Sequence, residues 1–179
     1  MAKLTKTKSS AKTEPSIRWL IRRDLPEVLN IDGSYKTPWT EDEFISALRN
    51  RNVIGVVIEI KNEILGYMLY ELRKRTLRIL KFAIHPDRVR ERLGTALFQR
   101  MFDKLHQQRR TSIEVSVPET SLDTLLFLQN LNFVAVGLND EVVMRYTLDH
   151  NLTHWGSLCE PDVVVDKDNW EDDEDEEYI

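Results

Sequence analysis

Apolar positions along this chain follow two rhythms, a period of two and a period near 3.6, with short polar turns between them. IRWLIRRDL at 17–25 starts a strand that hands over to a short helix after Pro26. TPWTEDEFISALRN predicts a second helix, with Thr40 as N-cap, Glu43 completing a capping box, and Phe44, Ala47 and Leu48 at helical spacing. NVIGVVIEIK and EILGYMLYELRK, rich in β-branched and aromatic residues, read as a hairpin turning near Asn62. TLRILKFAIH is a further strand that ends at Pro86, and LGTALFQRMFDKLHQQ is an amphipathic helix with Leu93, Leu97, Met101 and Leu105 on one stripe. RRTSIEVSVPE predicts a strand, SLDTLLFLQNLNF a helix entered through Ser121, and VAVGLNDEVVMRYTLD a closing hairpin with its turn at Asn139 and Asp140. No internal repeat interrupts this order of strand, helix pair, three strands, helix, strand, helix and two strands.

Composition narrows the reading. With 179 residues and 41% hydrophobic content, the chain can bury one ordinary core. The expected organisation is a basic, disordered tail over 1–15, one domain over 16–150, and an acidic, disordered tail over 151–179. No apolar run reaches the length of a membrane span, and the first residues lack the apolar centre of a secretory signal. One cysteine, Cys159, fits a reducing compartment, and the expected location is cytoplasmic.

The net charge of −5 conceals a strong asymmetry. Residues 160–179 hold 11 acidic side chains against one lysine, whereas residues 73–110 hold 12 Arg or Lys against 3 acids. The acidic run is either a solubilising tail or a segment that visits the basic centre or a basic partner. Inside the basic centre lies LKFAIHPDRVRERLGTALF at 80–98: a strand, a proline stop, an arginine-rich turn with one glycine, then a helix. Amides at the start of a helix and its positive dipole end suit a pyrophosphate, and so do guanidinium groups.

Three segments carry a resemblance to a known family: PWTEDEFISALRNRN at 38–52, the strand-turn-helix at 80–98, and IEVSVPETSLDTLLFLQNLNF at 113–133. From Ile17 to Leu148 the chain resembles the GCN5-related N-acetyltransferases (GNAT), and within them the ribosomal-protein alanine N-acetyltransferase type. The resemblance implies an α/β (α+β) fold: a mixed, mostly antiparallel sheet of about six to seven strands, about four flanking helices and one splayed parallel pair. It implies acetyl-CoA as substrate and an amine or protein N-terminus as acceptor; no His/Cys cluster at metal spacing occurs, so no metal is expected. Phe82, Ala83 and Ile84 would line the pantetheine arm through backbone groups. The turn Arg90, Glu91, Arg92, Leu93, Gly94 and Thr95 would hold the pyrophosphate, and Ser121 stands where the family has a helix-leading asparagine.

The same comparison exposes departures. Val89 replaces the leading Gln/Arg of the motif and Arg92 its first glycine, while Gly94 is kept. Ser116 and Leu128 stand where family members commonly carry a glutamate and a tyrosine, and Asn132 precedes Phe133 in place of glycine. Glu114, two positions before Ser116 and on the same strand face, and Glu119 are alternative carboxylates for proton transfer. His85, Tyr70 and Tyr146 are further candidates, each with a plain structural alternative as a turn or packing residue. Three readings follow: an N-acetyltransferase, a catalytically impaired relative that binds a CoA-like ligand or a protein, and a ribosome- or nucleic-acid-associated module. The third lacks interleaved aromatics or a recognition motif.

Overall fold

The computed structural model describes residues 14–107, 110–138 and 140–148; the expectations for the two tails and for Asn139 lie outside the described residues. Seven strands form one sheet in the order β1-β2-β3-β4-β5-β7-β6. They are β1 (Ser16–Trp19), β2 (Val53–Ile60), β3 (Glu63–Leu72), β4 (Thr76–Ile84), β5 (Ser112–Val117), β6 (Val134–Leu138) and β7 (Val142–Thr147). Four helices flank them: α1 (Leu25–Gly33), α2 (Glu41–Arg49), α3 (Leu93–Gln107) and α4 (Leu122–Asn130). Every pairing is antiparallel except β4 with β5. This is the mixed sheet with one parallel pair expected from the sequence.

The sheet buries both faces of its centre. On the rear face, Met68, Tyr70, Leu77, Ile79, Ile113, Val115 and Val117 pack against Leu97, Phe98, Met101 and Leu105 of α3, Leu128 of α4, and Phe133. On the front face, Val57, Tyr67, Leu69 and Ala83 pack against Leu25, Val28 and Ile31 of α1 and Phe44 of α2. Each fully buried aliphatic or aromatic side chain in these clusters contributes about 1.5–3 kcal/mol of transfer free energy. The helices on the front reach β2, β3 and β4. Alternation then places the polar residues Ser112, Glu114 and Ser116 of β5 on that same front side, because Ile113, Val115 and Val117 face the rear cluster.

Local chemistry explains the element boundaries. The Thr40 hydroxyl accepts from the Glu43 amide at 3.3 Å, and Glu43 Oε2 accepts from the Thr40 amide at 2.6 Å, which is the predicted capping box. The β2–β3 turn falls at Lys61 and Asn62, whose φ values of 54° and 66° suit a tight hairpin turn. The first strand is shorter than expected and stops at Trp19. Asp24 is nearly buried and draws the following chain into a 3-10 turn over Arg22–Asp24, accepting from the Ile21 amide at 2.9 Å and from Arg18 at 2.6 and 3.0 Å. A buried carboxylate without those donors would be far more costly than a shortened edge strand.

Candidate active site

The parallel pair is only four residues long. Thr76, Leu77, Arg78 and Ile79 register with Ser112, Ile113, Glu114 and Val115, and there the pairing ends. A register shift against β3 between Leu69 and Tyr70 leaves Leu80 as an extra residue in β4. Leu80 therefore packs with the front cluster instead of the rear one, and β4 diverges from β5 over Leu80–Ile84. Four residue steps of strand make this gap roughly 13 Å long. β5 stays paired to β7 through Ser116 and Val117 and β4 to β3 through Ile84, so the sheet splits between two intact halves.

Phe82 and Ile84 send their side chains to the rear cluster and Ala83 to the front, so only backbone from these residues faces the gap. The Ile84 carbonyl already accepts from the Tyr35 hydroxyl at 2.5 Å. The rear of the gap is closed by edge-to-face contacts of Phe98 with Phe82, Phe127 and Phe133 at 5.2–5.6 Å.

At the far end of the gap, His85 opens a 3-10 turn over Pro86–Arg88, with its Nδ1 accepting from the Asp87 amide at 3.3 Å. That occupies one ring nitrogen in the turn, as the structural alternative for His85 anticipates. Arg90 and Arg92 follow with φ values of 77° and 62°. Arg92 thus adopts the left-handed backbone that glycine takes without steric cost, at the position where the resemblance expects glycine. The amides of Arg92, Leu93, Gly94 and Thr95 have no acceptor among the described residues; the first return bond of α3 is Ala96 N–H to the Arg92 carbonyl at 3.0 Å. Arg88 pairs with Glu91 at 3.0 Å and neutralises that carboxylate, while Arg90 and Arg92 are exposed. A methyl group at Gly94 would lie 3.2 Å from Phe127 Cζ, so the glycine lets α3 sit against α4. Open amides, a helix dipole and two exposed guanidinium groups make a fitting receptor for a pyrophosphate.

The predicted catalytic residues scatter. Glu114 and Ser116 share the front face of β5, as alternation requires, but Glu114 Oε1 is held by Arg145 of β7 at 2.7 and 2.8 Å. Across four strands, Glu71, Arg78, Glu114 and Arg145 form a row of alternating charge at the foot of the gap. Glu119 is exposed in the turn after Pro118, and Ser121 heads α4 without a side-chain capping bond. Leu128 is fully buried in the rear core. Neither candidate strand tyrosine faces the gap: Tyr146 packs on Phe102 at 4.6 Å, and the Tyr70 hydroxyl has no partner among the described residues, its burial pushing the pKa up to about 12. Their place on the rear face follows from strand alternation, which makes them packing residues.

Sequence reasoning missed a front-side network. Asp32, 1% exposed, accepts from the Tyr67 hydroxyl at 2.5 Å and from the Trp39 amide at 2.6 Å, and pairs with Lys81 at 3.4 Å. Lys81 also donates to the Thr37 carbonyl at 2.5 Å and lies 5.6 Å from the Trp39 ring centroid. Burial drives the Tyr67 hydroxyl well above its usual pKa, and Tyr35 likewise, so both stay protonated donors at neutral pH. The network fixes the α1–α2 connection over β4. Two signals in the sequence could have found it: an aspartate on the apolar stripe Leu25, Val28, Asp32, and the break in alternation at ILKF.

These features meet known proteins at the level of fold and family. Among solved structures, the ribosomal-protein-S18-alanine N-acetyltransferase from Escherichia coli aligns with a TM-score of 0.68 at 18% identity, covering 79% of this chain and 100% of that one. PaiA N-acetyltransferase from Thermoplasma acidophilum, solved in complex with coenzyme A, aligns with a TM-score of 0.63 at 13% identity over 75% of this chain and 99% of that one. An N-acetyltransferase from Staphylococcus aureus gives 0.61 at 17% identity, with 76% and 99% covered. No curated protein matches the chain in sequence. The sequence profile of the acetyltransferase (GNAT) family matches residues 15–133, a span that holds the split parallel pair, the open turn before α3 and the front-side network, and the chain therefore belongs to that family.

Proposed function

We propose that this protein is an acetyl-CoA-dependent N-acetyltransferase that acts on a primary amine, either a protein N-terminus or a small amine. The observation that carries this reading is the retained cradle: Arg92 holds a φ of 62°, so the backbone follows a glycine's path without the glycine. Four open amides from Arg92 to Thr95 and the guanidinium groups of Arg90 and Arg92 would hold the pyrophosphate. A pantetheine arm would run along the gap beside Leu80–Ile84, with its thioester end at the foot near Leu80 and Ser116. Tyr35 would yield the Ile84 carbonyl to that arm. A structural neighbour named for alanine N-acetylation and another named with coenzyme A support the same reaction class. A reducing, cytoplasmic setting suits the single cysteine.

Transfer forms a C–N bond and breaks a C–S bond; the amine must lose a proton and the leaving thiolate must gain one. Glu114 is the carboxylate nearest the foot of the gap on the front floor. Arg145 holds one of its oxygens and leaves the other to accept a proton through water. Ser116, two positions on along the same face, would orient that water, and the proton would pass from it to solvent. With a leucine at position 128, water supplies the thiolate's proton. That same leucine and Ser116 favour a second reading, a family member that binds acetyl-CoA without turnover. Calorimetry with acetyl-CoA, followed by thiol release on a panel of peptides and amines, separates the two. Binding with turnover is expected; binding without turnover on any acceptor selects the second reading, and no binding removes both.

A further inference from the structure

An open cavity of about 430 Å³ lies between α2 and the strands β2 to β4, on the front face. Leu80, the extra residue at the foot of the gap, is part of its wall, so the cavity adjoins the place where the thioester would end. Trp39, Glu43, Ser46, Asn50 and Glu71 supply its other polar and aromatic surface, and no Lys or Arg among the described residues lines it. Each glutamate uses a single oxygen locally: Glu43 Oε2 accepts from Thr40, and Glu71 Oε2 accepts from Arg73 at 2.9 Å. The Oε1 atoms of both have no donor among the described residues. The nearby Lys81 ammonium is offset by Asp32 at 3.4 Å, and Glu71 is paired with Arg73 at 2.9 Å, so Glu43 carries most of the cavity's uncompensated negative charge. The Trp39 indole, already within 5.6 Å of one ammonium, is a surface suited to a second.

We propose that this cavity binds a second positive charge on the acceptor, so that the preferred acceptor is a primary amine with a cationic group a short chain away. The inference rests on the acetyltransferase reading and names its substrate class. The reacting amine lies at the foot of the gap near Glu114 and Ser116. The second cation lies against Trp39, between Glu43 and Glu71. The α2 side supports this placement, because Glu41, Asp42 and Glu43 in its first turn attract a cation.

The test compares acceptors matched in size. Binding of 1,5-diaminopentane and of pentylamine is measured by calorimetry with and without coenzyme A, and acetylation rates are measured for both. Ala-Lys amide against Ala-Gln amide forms a second arm that tells a peptide source from a free amine. The cationic member of at least one pair is expected to bind at least about fivefold more tightly, a difference that 0.5 M salt largely removes. Glu43→Gln keeps the capping box, and Glu71→Gln gives up only an exposed pair with Arg73; each should weaken the cationic acceptor about fivefold and leave its neutral counterpart unchanged. Equal binding within both pairs, or indifference to both substitutions, overturns the inference. Loss of acetyl-CoA binding defeats the acetyltransferase reading separately, because diamine binding without coenzyme A still reports on the cavity.

Discussion

Replacing Arg92 tests whether the cradle is held by backbone geometry at a steric cost. At a φ of 62°, any residue with a Cβ pays about 1–2 kcal/mol relative to the right-handed conformation. Glycine removes that penalty but recovers more freedom in the unfolded chain, which returns about 0.5–1 kcal/mol. The net gain expected for Arg92→Gly is therefore about 0.5–1 kcal/mol. Arg92→Ala keeps the Cβ and hence the strain, and the exposed guanidinium has no ion pair or side-chain hydrogen bond among the described residues to lose. A chain of this size shifts its melting midpoint by about 2–4 °C per kcal/mol. Thermal unfolding followed by circular dichroism without acetyl-CoA should place Arg92→Gly roughly 2 °C above Arg92→Ala, with Arg92→Ala near the parent. If the alanine variant melts with or above the glycine variant, residue 92 is not strained and the account of the cradle fails.

Two further expectations concern the polar groups that fix the front side. Asp32→Ala leaves Lys81 and Tyr67 facing a buried void, which should cost about 3–5 kcal/mol, read as a lowered urea midpoint with an unchanged slope. The hydrogen bond from Arg18, and then that from the Ile21 amide, hold the Asp24 carboxyl below its ordinary value of 3.8 against the opposing effect of burial. The stability it contributes is complete above 3.8 and is lost as pH falls through the lower value in the folded state. Urea midpoints measured from about pH 5 down to about pH 2 should fall less steeply in Asp24→Asn than in the parent; identical slopes would count against the Arg18–Asp24 pairing.

Local patterning was enough to place nearly every element, because each signal acts within a few residues. The capping box at Thr40 and Glu43, the turn at Asn62 and the stripe Leu93, Leu97, Met101, Leu105 are satisfied by neighbours in the chain, and all were legible. So was the shared face of Glu114 and Ser116, since strand alternation is a property of the backbone. The tertiary structure decided what those residues meet. Glu114 is held by Arg145, 31 positions away, and Asp32 collects donors from Tyr67, Trp39 and Lys81, none of which periodicity can associate with it. The length of the parallel pair likewise depends on one surplus residue, Leu80, set by the register between β3 and β4. The sequence alone showed an arginine where a glycine was expected and left open whether the cradle survived. The tertiary structure puts Arg92 at a positive φ, the backbone a glycine takes without cost, in a turn whose ends are held by β4 and α3.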